Sequence, residues 1–273
     1  MVRNDVCMAV STAQKPTGER FGASGQWRSM RLLAASVAIS VPAVTVLHEL
    51  GHLVADRALG MEAHLEIDPF GASRTVIDSG ILDDGLGWAV AAGPLTAIIV
   101  GVLISVLGWM FRGPAALPAL LLGPWALVSE GANSLAQLVE RAEGTDMSLL
   151  VGTGVGASTL AVIGVIATIA GVVGLAIAAP WSGLQPGRWR SIGVVIGLTA
   201  YPIVGLAWMT LAPEPLRVTS VVRVAFGLLV GVLVAVVLSL ASAGEPPTAP
   251  PSRVEAGSIE VVAVIMIAVC MMI

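Results

Sequence analysis

Long stretches without any charged side chain constrain the fold of this chain more than any other feature. Residues 86–110 form one such stretch, and several exceed the roughly 20 residues that a helix needs to cross a bilayer. Charged residues make up only 12% of the 273 positions and hydrophobic residues 56%. This composition is typical of a membrane protein and not of a soluble domain. The sequence therefore predicts an all-α polytopic membrane protein with about six transmembrane helices.

The hydrophobic stretches divide into six predicted spans and one shorter segment. The six cover residues 32–59, 86–110, 115–139, 147–178, 192–211 and 221–240. Residues 259–273 are apolar but short for a span, so three alternatives stay open: they cross the membrane, lie against the bundle, or do neither. Between the first two spans, residues 60–85 partly alternate apolar and polar side chains around Pro69 and Gly71, which predicts a small hairpin.

The remaining segments complete the domain organisation. Residues 1–30 are polar and lack an apolar core of signal-peptide length, so we expect a disordered tail before a membrane domain at 31–242. Residues 243–258 form a Pro-rich linker without a packing face. The basic excess of the tail, continued by Arg31, favours a cytoplasmic N-terminus in the cell membrane. This orientation would put His48, in the second half of the first span, nearer the extracytoplasmic face.

A metal-binding pattern interrupts the first span. His48, Glu49 and His52 follow the spacing H-E-x-x-H, and residues four apart lie on one face of a helix. Two imidazoles on that face can hold one metal ion, and the glutamate beside the first can reach a metal-bound water. Zinc lowers the pKa of such a water, which Glu49 can then deprotonate as a general base. The sequence therefore predicts a zinc site with Glu49 as the catalytic residue.

The third ligand is expected to be a carboxylate. A catalytic zinc takes three protein ligands, and the third histidine of the chain, His64, lies twelve residues beyond His52 in the predicted loop. Glu130 and Asp146 are the two candidates, because Glu130 lies within a span and Asp146 opens the next one. The simpler role for Asp146 is a helix N-cap. Residue positions alone do not favour either acid as the third metal ligand.

Polar residues also mark the second and third spans. Glu130, Asn133 and Gln137 recur at helical spacing, and such a stripe faces the bundle interior, a water-filled cavity or a packing partner. Gly93 and Pro94 lie inside the second span, where the freed backbone groups need a protein neighbour.

These residues together resemble the site-2 protease family of intramembrane zinc metalloproteases. The resemblance covers roughly residues 40–150, with HELGH at 48–52 inside a span and AAGPL at 91–95 in the next. Asn133, followed by Gly-Thr-Asp at 144–146, is similar to the Asn and Asp-Gly elements of that family.

The resemblance implies specific roles for these positions. His48 and His52 would be zinc ligands, Glu49 the catalytic base and Asp146 the third ligand. Glu130 and Asn133, with Gly93 and Pro94, would then contact the ligands or face the substrate.

The expected activity is cleavage of a peptide bond in or beside a transmembrane segment of a partner protein. The expected partners are therefore a membrane protein substrate and the lipid bilayer, without nucleic acid. Two alternatives remain: a non-proteolytic membrane protein that keeps a zinc site for structure or partner binding, and a transporter with helices interrupted at Gly93-Pro94 and Tyr201-Pro202.

Overall fold

Eight α-helices and one two-stranded antiparallel sheet make up the part of the chain that the structure, a computed structural model, describes. That part comprises residues 23–67, 73–79, 85–111, 113–140, 145–184, 188–210, 216–240 and 252–270. The fold is that of an all-α polytopic membrane protein, as the sequence predicts.

The elements follow the chain in a simple order. The helices are α1 (Ala23–Ala58), α2 (Leu86–Phe111), α3 (Leu117–Glu140), α4 (Asp146–Gly152), α5 (Ala157–Ala178), α6 (Arg188–Thr210), α7 (Leu216–Leu240) and α8 (Arg253–Cys270). Two strands, β1 (Glu62–Glu66) and β2 (Arg74–Ser79), lie between α1 and α2. Short 3-10 helices at Pro114–Ala116 and Ala179–Ser182 precede α3 and follow α5.

Four helical segments are long and apolar enough to cross a membrane. They are Ser24–Ala58, Gly87–Phe111, Pro114–Val139 and Ala157–Ser182. The predicted fifth and sixth spans form α6 and α7, whose apolar stretches among the described residues are shorter, Arg190–Gly205 and Leu228–Ser239. On α5, Val162, Ile166 and Ile169 are each more than half exposed, as expected for a face that contacts lipid.

Helix α1 is central to the bundle and contacts α2, α3, α6 and α8. Its residues Leu32, Leu33 and Val37 are fully buried in the main core. Pro42 lies inside α1 without ending it, as the bundle environment permits. The metal-binding pattern therefore lies on a helix that packs against four other helices of the described part of the chain.

The predicted hairpin is confirmed. Strands β1 and β2 pair antiparallel, with Glu66 opposite Arg74 at the loop end. The Arg74 guanidinium donates a hydrogen bond to the Glu66 carboxylate and holds the pKa of Glu66 below its usual range. Residues 68–72 at the tip, including the predicted turn residues, lie outside the described part of the chain.

The tail predicted to be disordered, residues 1–30, overlaps the first helix. Helix α1 begins at Ala23, so residues 23–30 are helical. Ser29 and Met30 are buried, and Met30 lies close to Gly193 of α6. Packing against α6 supplies the stabilisation that this polar segment lacks on its own. Residues 1–22 lie outside the described part.

The predicted fourth span is two helices rather than one. Helix α4 ends at Gly152 and α5 begins at Ala157. Between them Gly154 has φ +96°, a left-handed conformation that glycine adopts without strain. The chain turns here, so α4 packs against α2 and α3 while α5 continues as the span.

The Pro-rich linker is also shorter than predicted, because α8 begins at Arg253. Ser252 and Glu255 form a reciprocal capping box, in which each side chain accepts a hydrogen bond from the other's backbone N–H. Ile259 and Ala263 of α8 are buried in the main core, so the C-terminal segment lies against the bundle. Residues 241–251 lie outside the described part.

Candidate metal centre

Three side chains from two helices converge near the C-terminal end of α1. The Nε2 atoms of His48 and His52 are 3.0 Å apart, one helical turn from each other. The Oδ2 atom of Asp146, the first residue of α4, lies 3.3 Å from His48 Nε2 and 3.6 Å from His52 Nε2. These three residues form a group that can hold a metal ion.

The outer nitrogen of each imidazole contacts an acceptor. His48 Nδ1 lies 3.0 Å from Glu130 Oε1 of α3, and His52 Nδ1 lies 2.8 Å from the carbonyl oxygen of Ala89 in α2. A carboxylate or carbonyl oxygen accepts, so each Nδ1 carries the proton and donates it. Each neutral ring then presents an unprotonated Nε2 to the centre of the group.

The resulting arrangement fits a cation. Two unprotonated nitrogens and one carboxylate oxygen face each other without a hydrogen-bond donor among them, so they repel unless a positive charge lies between them. In a tetrahedral site with bonds of about 2.0–2.1 Å, two donor atoms are about 3.3 Å apart. The three observed separations, from 3.0 to 3.6 Å, bracket that value.

Asp146 is free for this role because another residue caps α4. Thr145 is the N-cap, and its hydroxyl oxygen accepts from the Ser148 backbone N–H. The Asp146 side chain is therefore not needed for the cap, and its carboxylate faces the two imidazoles.

Glu49 lies next to the group and contacts the hairpin. Its side chain is buried, and the Thr75 hydroxyl of β2 lies 3.1 Å from Glu49 Oε2 and 3.0 Å from the Glu49 backbone carbonyl oxygen. Both oxygens accept, so the hydroxyl proton is shared between them. The hairpin thus fixes the position of the carboxylate that follows the first histidine.

Two glycines let α1 and α2 approach closely at the site. A Cβ atom on Gly51 would lie 2.4 Å from the carbonyl oxygen of Ala92, and one on Gly93 would lie 2.2 Å from Nε2 of His52. Any side chain at either position would displace α2 or the His52 ring. Gly93 of the Gly93-Pro94 motif therefore faces protein, as predicted, and leaves room for an imidazole.

The polar stripe of α3 separates into three different environments. Glu130 contacts His48, and the Gln137 amide oxygen accepts a hydrogen bond from the Met147 backbone N–H at the start of α4. Asn133, between them, is exposed. This hydrogen bond connects α4 to α3 and so helps to position Asp146 beside the two histidines.

His64 lies away from the group, on strand β1 rather than in a loop. Its Nδ1 is 2.8 Å from the Asp78 carboxylate of β2, and the side chain is about half exposed. Among the described residues, the metal-binding group contains only the other two histidines and Asp146.

Sequence reasoning missed three contributors to the site. Thr75 carried no signal beyond its place in the hairpin, and the Ala89 carbonyl belongs to a backbone that no side-chain pattern reveals. Gly51 was visible as the glycine inside HELGH, and its small size in a membrane helix is a signal of close packing.

Comparison with protein-family models, with curated proteins and with solved structures finds no match to this chain. The function of the site is therefore inferred from its residues and their geometry.

Proposed function

We propose that this protein is a membrane-embedded zinc endopeptidase of the site-2 protease type, which hydrolyses a peptide bond in or beside a transmembrane segment of a partner protein. The observation that carries the proposal is the convergence of Asp146 of α4 on His48 and His52, beside Glu49, in a helix that is long and apolar enough to cross a membrane. The resemblance of HELGH and AAGPL to the motifs of that family supports the same conclusion.

The ligand set fits a catalytic zinc ion. Two imidazoles and one carboxylate leave a fourth position for water in a catalytic zinc site. Zinc, when bound, lowers the pKa of that water towards neutrality and polarises the substrate carbonyl. His48 and His52 are oriented by Glu130 and the Ala89 carbonyl, an arrangement that strengthens imidazole ligands.

Glu49 supplies the proton transfers. Its carboxylate accepts a proton as the water oxygen attacks the carbonyl carbon, and returns that proton to the amide nitrogen as the C–N bond breaks. The Thr75 hydroxyl donates a hydrogen bond to Oε2 of Glu49, so Oε1 is the oxygen that accepts and returns the proton. The histidine side chains are 12% exposed and that of Asp146 24%, so the group is shielded but reachable by water.

The hairpin offers a means of holding the substrate. A peptide bond inside a helix is protected by the helix hydrogen bonds, so the substrate must unwind locally before cleavage. The described hairpin has two strands, each with an outer edge that can pair with an extended peptide. Because Thr75 of β2 touches Glu49, a substrate strand bound to this sheet would lie near the base.

This substrate role can be tested by deleting residues 62–79. We expect cleavage to be lost while the metal content stays unchanged. Unchanged cleavage in a deletion variant that still binds zinc would contradict the role of the hairpin without affecting the metal site.

A Glu49→Gln variant tests the proposed activity itself. It should keep its zinc but cut a membrane-protein substrate about 10²- to 10⁴-fold more slowly, the usual effect of removing a general base. A non-proteolytic metalloprotein or a transporter should be indifferent to this change. Full peptidase activity of Glu49→Gln, or loss of zinc equal to that of His48→Ala, would contradict the assignment.

A further inference from the structure

Helix α4, which carries Asp146, packs through a small hydrophobic cluster of its own. Met147 and Leu150 of α4 are buried with Val90 of α2 and Leu160 of α5, and within the described part of the chain these four side chains form a cluster separate from the main core. Helix α1, which carries the two histidines, packs in the main core. The carboxylate and the imidazoles therefore come from separately packed parts of the protein.

The turn between α4 and α5 has the properties of a pivot. The Val155 backbone N–H still donates to the Leu150 carbonyl oxygen of α4, whereas the carbonyl oxygen of Gly156 accepts the first hydrogen bond of α5. A Cβ atom on Gly152 or Gly154 would meet no atom of the described residues within 4 Å, so their packing does not restrain the turn. Helix α4 can therefore rotate as a unit about Val155 and Gly156 without breaking its own hydrogen bonds.

Docking of α4 completes the ligand group. With α4 in the observed position the group contains His48, His52 and Asp146, and with α4 displaced only the two imidazoles of α1 remain. A metal ion that binds three ligands more tightly than two stabilises the docked position, and docking strengthens metal binding by the same free energy. The metal content and the position of α4 are therefore coupled.

We infer that α4 is a hinged segment that covers the metal site, so that the ion enters and leaves only while α4 is displaced. This inference rests on the proposed metal site but not on the peptidase activity. The hydrogen bond from the Met147 backbone N–H to Gln137 and the packing of Leu150 hold α4 in the docked position. The rate of zinc release therefore depends on these contacts, although they lie outside the ligand group.

A reversible disulfide between α2 and α4 tests the inference. A Cβ atom on Gly87 would lie 3.7 Å from Cβ of Thr153, which lies between the pivot and Asp146. Disulfides have a mean Cβ–Cβ distance of about 3.8 Å. The test protein is the full-length chain in nanodiscs with Gly87→Cys and Thr153→Cys, in which Cys7 and Cys270 are replaced by serine. It is loaded with zinc and oxidised, and zinc release to excess chelator is followed before and after reduction.

The oxidised protein should release zinc at least about tenfold more slowly than the reduced protein, because α4 can no longer leave its docked position. Reduction should restore the original rate. The single variants Gly87→Cys and Thr153→Cys cannot form the bond, so each should release zinc at the same rate under both conditions. Equal rates for the oxidised and reduced double variant, with the disulfide confirmed by mass spectrometry, would overturn the inference.

Hydrogen exchange gives a second readout on the protein without engineered cysteines. Zinc should slow the exchange of the backbone amides of residues 146–152. Leu150→Ala, which loosens the cluster, should release zinc about tenfold faster, whereas Val151→Ala, at an exposed position of the same helix, should behave like the wild type.

The outcomes separate this inference from the proposed function. Unchanged exchange of residues 146–152 in a protein that has taken up zinc would contradict the hinged segment and leave the peptidase proposal intact. Full peptidase activity of Glu49→Gln would contradict the peptidase and leave the hinged segment intact. A protein that takes up no zinc would contradict both.

Discussion

The imidazole of His48 bridges two carboxylates that are sixteen positions apart in sequence, with Nδ1 3.0 Å from Glu130 and Nε2 3.3 Å from Asp146. The Glu130 contact determines which nitrogen carries the proton, and therefore which nitrogen is free to bind a metal. The sequence does not distinguish these two acids as the third metal ligand, but the structure places them on opposite sides of the His48 ring. Asp146 also approaches His52, whereas Glu130 contacts the outer side of His48.

Removing Glu130 should weaken zinc binding without abolishing it. Glu130→Ala leaves the buried Nδ1–H of His48 without its acceptor, and loss of such an outer contact typically costs 10- to 100-fold in metal affinity. Competition with a zinc chelator of known affinity measures the change. Glu130→Gln, whose amide oxygen still accepts, should lie between Ala and wild type. A Glu130→Ala protein that binds no zinc even at saturating concentrations would identify Glu130 as a ligand instead.

Gly93→Ala should disrupt the site through sterics alone. The new Cβ would lie 2.2 Å from His52 Nε2, so the ring must move or α2 must shift. We expect the zinc content to fall by more than half while the protein still folds. Gly87→Ala is the control in the same helix, because its Cβ would meet Thr153 at an ordinary 3.5 Å. Similar zinc loss in both variants would point to a general effect on α2 rather than to a clash with His52.

Thr75→Val should lower kcat while leaving zinc in place. The substitution keeps the shape of the side chain but removes the hydroxyl that holds Glu49. A hydrogen bond to a charged group contributes about 1.5–3 kcal/mol, which corresponds to roughly a ten- to hundredfold loss of rate. Thr75→Ser should restore most of the rate. A change in KM with constant kcat would mean that the hydroxyl serves hairpin docking and not the carboxylate.

His64→Ala should retain the full zinc content. His64 contacts Asp78 at the surface of the hairpin and lies outside the metal-binding group. Metal analysis of the purified variant checks this expectation, with His52→Ala as the depleted reference. Equal depletion in the two variants would require a ligand set that includes the hairpin.

The sequence predicts the helical membrane class, the hairpin and the residues His48, Glu49 and His52, because each depends on local periodicity or spacing. Helix bounds that depend on packing were predicted less well. Residues 23–30 are helical where Met30 packs against α6, and the break before α5 depends on the backbone conformation of Gly154.

The choice between Asp146 and Glu130 could not be made from spacing alone. It depends on how α4 packs against α2 and α3, a long-range arrangement to which the bond between Gln137 and the Met147 backbone contributes. The contact of Thr75 with Glu49 is likewise a product of tertiary structure, since the two residues lie on different elements.

Metal analysis of the purified full-length protein, with Asp146→Ala and Glu130→Ala measured beside it, tests the central claim most directly. The wild type should hold close to one zinc ion per chain, Asp146→Ala should hold almost none, and Glu130→Ala should fill at saturating zinc. A wild-type protein that binds no metal after zinc loading would contradict the claim. So would a full site in Asp146→Ala beside an empty one in Glu130→Ala.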